Sequence, residues 1–384
     1  MIKVLVAGDL CPLNRVTSLF AKSAFENVFG EVKSYTTNVD YSIVNLEAPI
    51  VVGEAQPISK CGPNLKTDEN IIAALKYSGF QCATLANNHF RDFGDMGCTT
   101  TVNLLQQNNL DFVGGGENIN QAQSVLYKQI NGEKLAIINF CENEFSIATK
   151  SRGGSAPLDC VDNYKQIVEA RKKADYVLAI VHGGHEHYQY PSPRMKKLYR
   201  FFIDIGVDAV INHHQHCYSG YEVYKGKPIF YGLGNFCFDR GMTQYGNTWN
   251  EGFCVELAFN KQELFPFRIY PYIQCREYPS VKFMTGEKLD QFYKSIGEIN
   301  NIISNDDLLG KEFDKFSDQR ANGIYSLFFS YHNRYLNAAA IRNIIPIPCS
   351  TKELSVLVNY ISCEAHRDIT IKILTKLLDN NCKR

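Results

Sequence analysis

The sequence predicts an α/β fold, and two observations carry that prediction. Across the first two thirds of the 384 residues, short apolar runs rich in Val, Ile and aromatic side chains alternate with amphipathic or polar stretches. Such strand, helix, strand repetition builds a sheet covered by helices. Most of the runs are apolar at every position, not at alternate ones, as in strands covered on both faces.

The elements follow in chain order. Residues 2–7 form the first apolar run and end at the polar Gly8-Asp9. This reads as a buried strand, not as a secretory leader, which needs a charged flank and a longer apolar stretch. A helix is expected over residues 15–29 and a strand over 41–46. Helical spacing returns at 68–77, strand character at 82–86, and helical spacing again at 99–108. Strands are then expected over 134–140, 175–181, 207–211 and 228–232, with helices over 163–173 and 193–205 between them. The last helix carries Met195, Leu198, Phe201, Phe202 and Ile205, an apolar stripe suited to lying on a sheet. After about residue 272 the composition shifts towards Lys, Asp, Asn and Leu with helical spacing, as at 354–361 and 369–378. The expected division is therefore a main domain over residues 1–272 and a mostly helical C-terminal extension over 273–384.

Composition narrows the function. Lys plus Arg and Asp plus Glu are both 40, so no overall field draws the chain to nucleic acid or to an anionic membrane surface. No segment approaches the roughly 18 apolar residues of a membrane span. The 13 cysteines lack a CxxC pair or regular spacing, which suits reduced thiols and a cytoplasmic location better than a disulfide framework.

The chemistry concentrates in the histidines. Seven of the nine lie in three groups: His89; His182, His185 and His187; and His213, His214 and His216. Each group follows an expected strand, at the edge where open α/β sheets place their ligand sites. Asp9, Asn45 with Glu47, and Asn87 with Asn88 stand at equivalent strand ends. Imidazole, carboxylate and amide oxygen together are the ligand set of ions such as Mn, Fe or Zn. Taken singly the positions are weaker. An Asp after a strand is more often a turn former or helix cap. Asn45 and Glu47 share one side of a strand end, where plain solvation is as natural as chemistry. Asn87-Asn88-His89 is stronger, because groups leaving a buried strand need partners. His214-Gln215-His216 is the sharpest, since alternate residues share a face and can reach adjacent ions.

Other features fit bland roles. Gly114-Gly115-Gly116 lacks the Lys-Ser/Thr of a phosphate loop and reads as a turn. Ser192 and Ser219 sit in no GxSxG elbow. Cys11 and Cys217 read as small buried hydrophobes, and His332 and His366 as surface residues.

The motif order resembles a known family. GDL around Asp9, NLEAP from Asn45, ANNHFRDFG from Ala86, VHGGHEHY from Val181, NHHQH from Asn212 and IFYGLGNFCFD from Ile229 are similar to the CapA family. That family is named for a poly-γ-glutamate capsule synthesis protein and is a branch of the calcineurin-like metallophosphatases. The resemblance covers roughly residues 1–260 and implies a four-layer α/β/β/α sandwich with two divalent ions at one edge of paired sheets. It implies that Asp9, Glu47, Asn88, His182, His214 and His216 bind metal, with Glu47 in the bridging place. His89, oriented by Asp92, would be the general acid or transition-state stabiliser. Asn45 would orient Glu47, and Glu186 matches a glutamate that the branch keeps nearby.

The activity implied is metal-dependent hydrolysis of a phosphoester-type bond in a phosphorylated or polyanionic substrate, by in-line attack of water activated between the two ions. The alternative is a non-catalytic accessory protein of capsule or poly-γ-glutamate synthesis that holds the polymer at the same rim. The chain also departs from the general pattern. Asp9-Leu10-Cys11 replaces Asp-x-His, so the first ion lacks its histidine unless Cys11 or another group substitutes. Gly183 replaces a Trp usual in the branch, and Asn212 and Gln215 stand where Gly and Pro are common.

Overall fold

A computed structural model describes residues 1–350 apart from 61, 241–246, 261–265, 329–332 and 348–349. The helices expected at 354–361 and 369–378, and His332 and His366, lie outside the described residues. The strands in chain order begin with β1 (Ile2–Cys11), β2 (Tyr41–Leu46), β3 (Cys82–Thr84), β4 (Asp111–Val113) and the short β5 (Gly115–Gly116). There follow β6 (Leu126–Ile130), β7 (Glu133–Cys141), β8 (Gly154–Ser155), β9 (Tyr176–His182) and β10 (Ala209–His213). The set closes with β11 (Tyr221–Tyr224), β12 (Lys227–Phe230), β13 (Asn235–Phe238), β14 (Glu251–Phe259), β15 (Phe267–Gln274) and β16 (Val281–Phe283).

Two sheets hold nearly all of them. The first has the order β16-β15-β14-β1-β2-β3-β4, with β13 beside the end of β1. The second has the order β11-β12-β10-β9-β7-β6. Strands β1 to β4 run parallel, as do β7, β9, β10 and β12, so each sheet gathers several carboxyl ends on one edge.

Strand periodicity decides the layers. On β1, Ile2, Val4 and Val6 enter a core shared with Ile137, Leu178, Ile180, Ile211 and Phe230 of the second sheet. The intervening Leu5 and Ala7 face the other way and pack with Val16, Phe20, Val28, Ile71, Leu75 and Val102. Those six come from the helices Arg15–Phe20, Phe25–Phe29, Asn70–Ser78 and Gly94–Gln107. The second sheet is covered through Ile167, Ala170, Met195 and Phe202 of the helices Cys160–Lys173 and Pro193–Asp204. The result is the α/β/β/α sandwich, and the all-apolar runs are explained because both faces of the central strands are dry.

Some expectations shift in detail. The helix expected over 15–29 is two short ones, separated at Ser23, whose φ of 54° is left-handed and breaks the spiral. In Pro193–Asp204 the buried stripe is Met195, Tyr199, Phe202 and Ile203, while Phe201 is 38% exposed. Within that stripe the buried Tyr199 hydroxyl donates to Asn212 Oδ1 at 2.7 Å. Strands β14 and β15 lie beyond the last expected strand and extend the first sheet in antiparallel fashion. A compact unit runs from Met1 to Phe313, and residue 272 falls within β15. That unit includes the helix Gly286–Ser304, whose Phe292, Ile296, Ile299 and Ile303 join the shared core. A second unit begins at Asp314 and, among the described residues, contains the helix Arg334–Ile341. Among the described residues, no helix is long and apolar enough to cross a membrane, and the nine described cysteines are free thiols.

Candidate metal centre

The carboxyl ends of β1, β2, β3, β9 and β10 converge on one rim, and each strand delivers its ligand-type residue by a local device. Strand β1 bulges at Asp9, where its register against β2 and β13 shifts. A bulge re-aims a side chain. The bulge requires Gly8, since a Cβ there would lie 2.0 Å from the Gly234 carbonyl oxygen. Glu47 follows β2 directly and its N–H donates to the Leu10 carbonyl at 2.9 Å. Beyond β3, Asn87 holds the turn: its Nδ2 donates to the Leu46 carbonyl at 2.9 Å and its Oδ1 accepts from the His89 N–H at 3.2 Å. His182 ends β9 beside His213 at the end of β10. His214 and His216 then take left-handed φ values of 93° and 55°, rare for bulky side chains and of the kind that collects at functional sites.

Two three-residue clusters result, and Glu47 belongs to both: Glu47 with His182 and His214, and Glu47 with Asp9 and His216. In the first, His182 Nε2 lies 3.6 Å from Glu47 Oε1, 3.1 Å from His214 Nδ1 and 3.1 Å from Asn88 Oδ1. In the second, His216 Nε2 is 3.7 Å from Glu47 Oε1 and His216 Nδ1 is 3.7 Å from Asp9 Oδ2. Donor atoms about 3–3.5 Å apart are what metal bonds of about 2.0–2.2 Å require. All six expected ligands are buried and stand together here. Cys11 is in neither cluster; it packs with Phe238 and Trp249, and burial pushes its thiol pKa well up, ahead of the effect of Glu47.

The electrostatics suit a cation. Burial first, and Asp9 second, hold the Glu47 carboxyl well above the usual carboxylate range. Neither of its oxygens has a hydrogen-bond partner among the described residues. Burial also holds His182 and His216 well below the usual imidazole range, with neighbouring imidazoles adding to the effect, so both present lone pairs. A buried, unpartnered carboxylate beside neutral imidazoles lacks a counter-charge that divalent ions would supply. The residues present fit such a group.

Around the clusters stand the supporting residues. His89 Nδ1 pairs with Asp92 Oδ2 at 2.7 Å, so Asp92 orients the ring. Asn45 donates to Asp9 Oδ1 at 2.7 Å and approaches His182 Nδ1 at 3.3 Å, so it is Asp9 that Asn45 holds, not Glu47. Glu186 is half exposed and 4.0 Å from His187, outside both clusters, although its charge raises the pKa of Glu47. His213 turns away and meets the Ala7 carbonyl at 3.1 Å through Nε2.

Three residues of this neighbourhood escape the sequence reading. Lys60, 3% exposed, ion-pairs with Asp92 Oδ1 and lies 3.1 Å from His89 Nδ1. It comes from an irregular loop, where no local pattern marks it. Asn235 Oδ1 lies 2.9 Å from His216 Nδ1 and leaves Nε2 for the cluster. It sits inside the IFYGLGNFCFD motif and was legible in principle. Glu144 lies 3.8 Å from His214 Nε2 and accepts from Asn88 Nδ2 at 3.5 Å. It follows the end of β7, and the strand-end argument applied to that strand finds it.

A family model described as "Bacterial capsule synthesis protein PGA_cap" matches residues 3–240. The chain is 34% identical over 247 residues to the "Capsule biosynthesis protein CapA" of Bacillus anthracis, covering 62% of this chain and 60% of that one. It is 31% identical over 240 residues to the "PGA biosynthesis protein CapA" of Bacillus subtilis (strain 168), covering 62% and 63%. It thus spans somewhat over half the length of these relatives. Among solved structures it is similar to a 5'-nucleotidase precursor from Thermus thermophilus, with a TM-score of 0.39 and 12% identity over 79% of this chain and 59% of that one.

Proposed function

The chain belongs to the bacterial capsule synthesis protein PGA_cap family, and from that premise we propose that it is a metal-dependent phosphoesterase-type hydrolase with a dinuclear centre. The observation that carries the reading is Glu47: one buried carboxylate, unpartnered at both oxygens, shared by two ligand clusters. In this reading Asp9, Glu47 and His216 hold one divalent ion, and Glu47, Asn88, His182 and His214 hold the other, with Mn, Fe or Zn suited to the donor set. When bound, the ions supply Lewis acidity that lowers the pKa of a water and offsets charge on a phosphoryl group.

The chain's own residues do the rest. Asp92 accepts from His89 Nδ1 and fixes the ring, so Nε2 is the nitrogen left for a departing oxygen, to which the ring in its imidazolium form would hand the Nε2 proton. Lys60 balances the Asp92 charge through a pair of buried side chains. Asn45 and Asn235 fix the two ligands Asp9 and His216. The substrate is an anionic phosphorylated compound or polymer linked to capsule or poly-γ-glutamate metabolism.

A second reading is favoured by the names of the relatives, which concern biosynthesis: a non-catalytic accessory protein that holds an anionic polymer at the same rim. One experiment separates the two. Purified protein is analysed for metal and then screened on phosphomonoesters and phosphodiesters with Mn, Fe, Co and Zn. Two ions per chain with turnover is the expected result; metal-free protein that binds polyglutamate and turns over no ester would replace the hydrolase with the accessory reading.

A further inference from the structure

Glu144 stands at the solvent side of the cluster formed by Glu47, His182, His214 and Asn88, and it touches two of those four residues at the atoms that do not face inward. His214 presents Nδ1 to the cluster, 3.1 Å from His182 Nε2, and turns Nε2 outward to within 3.8 Å of Glu144 Oε1. Asn88 presents Oδ1 inward, 3.1 Å from the same His182 nitrogen, and gives its Nδ2 to Glu144 Oε2 at 3.5 Å. The two oxygens of one carboxylate thus face the outward nitrogens of two neighbouring residues. At 3.8 Å the contact is electrostatic and not a hydrogen bond, and the carboxylate's charge favours the His214 tautomer with the proton on Nε2, which leaves the Nδ1 lone pair for a metal ion. It also prevents the Asn88 amide from turning over and offering N–H where an oxygen is needed. Outer carboxylates that hold a ligating imidazole in this way typically change metal affinity by about 10- to 100-fold when removed.

We propose that Glu144 is the positioning residue of the second metal site, acting through His214 and Asn88, so that the site's occupancy depends on a carboxylate outside the ligand set. The proposal rests on the two-ion reading given above and assigns to one side chain the difference between its two sites. Among the described residues no hydrogen bond or ion pair joins Glu144 to Asp9 or His216, so its direct effect falls on the second site and reaches the first only through the shared Glu47.

The test uses the full-length protein depleted of metal and titrated with manganese chloride by calorimetry, with electron paramagnetic resonance of the bound ions. Wild-type protein is expected to take up two ions and show exchange-coupled manganese. Glu144→Ala is expected to retain one tight ion, to bind the second at least tenfold more weakly, and to show an isolated-ion spectrum at one equivalent. Glu144→Gln, which still accepts from Asn88 but carries no charge, is expected to fall between them, and it serves as the test should the alanine variant not fold. Unchanged two-ion binding in the variants overturns the role of Glu144. A wild-type protein that binds fewer than two ions overturns the two-ion reading itself.

Discussion

At the residue scale the centre is a set of groups that are costly until something joins them. Glu47 is buried, its carboxyl pKa is raised by burial and by Asp9, and its oxygens lack partners. Glu47→Gln removes a group whose ionisation the folded state resists, so above about pH 4.5 metal-free variant protein should be more stable than metal-free wild type in urea, while elemental analysis should find fewer than one ion per chain. A gain in stability with loss of metal marks a residue kept for function. Lys60 gives the opposite expectation. Lys60→Met leaves Asp92 Oδ1 without its counter-charge while Oδ2 keeps His89 Nδ1 and the Leu65 N–H, so the cost should lie below the roughly 3–5 kcal/mol of a buried charge left with no partner. Urea denaturation measures it, and a cost near zero would show that Asp92 finds another partner. His89→Ala should leave the metal content unchanged and lower turnover by about 10²- to 10⁴-fold, read from kcat on whichever ester the screen identifies.

At the element scale, strand ends and turns place the ligands, and their geometry is demanding. Strand β1 must bulge at Asp9 while β13 closes against it, and only a residue without Cβ fits under the Gly234 carbonyl. Gly8→Ala should therefore part β1 from β13, cost at least about 1–3 kcal/mol, and weaken the ion held by Asp9 more than the ion held by His182 and His214. Equal weakening of both would show that Glu47, not Asp9, transmits the disturbance. The segment after β10 shows why neighbouring histidines differ. His213 is still in the strand and points across it to Ala7, whereas the left-handed turn that follows swings His214 and His216 to the rim. Their spacing in sequence suggested a shared face, and the turn supplies it by a backbone conformation that alternation alone does not reveal.

At the scale of the whole molecule, the sandwich core and the centre are separable, and pH couples them. Phe230 lies fully buried between the sheets. Phe230→Ala should cost about 3–5 kcal/mol in a denaturation experiment and leave the ion count unchanged. His182 and His216 have folded pKa values below the ordinary 6.5, so on acidification below about 6.5 the unfolded chain takes up protons that the folded chain refuses, and metal-free stability falls. Glu47 works the other way, because its raised pKa means that above about 4.5 the unfolded chain ionises first. Divalent ions relieve both penalties and compete with protons for all three groups. The rise in melting temperature on adding manganese should accordingly be larger at pH 7.5 than at pH 5, and an equal rise at both would place the ions elsewhere.

The α/β class, the principal parallel strands and the strand-end position of the ligand-type residues were legible in the sequence, because each rests on a local signal: an apolar run, a helical spacing, a polar residue where a run stops; the choice of six among those residues came from the family resemblance. What only the tertiary structure decided are relations between stretches of chain far apart. Asp9 meets the His214 backbone across 205 residues, and Glu47 becomes common to two clusters because β1 and β2 of one sheet meet β9 and β10 of the other. Lys60, the contact of Glu144 with His214 and Asn88, and the inward nitrogen of each imidazole belong to the same class, since distance and orientation are set by how two twisted sheets close on one another, and no local pattern encodes that closure.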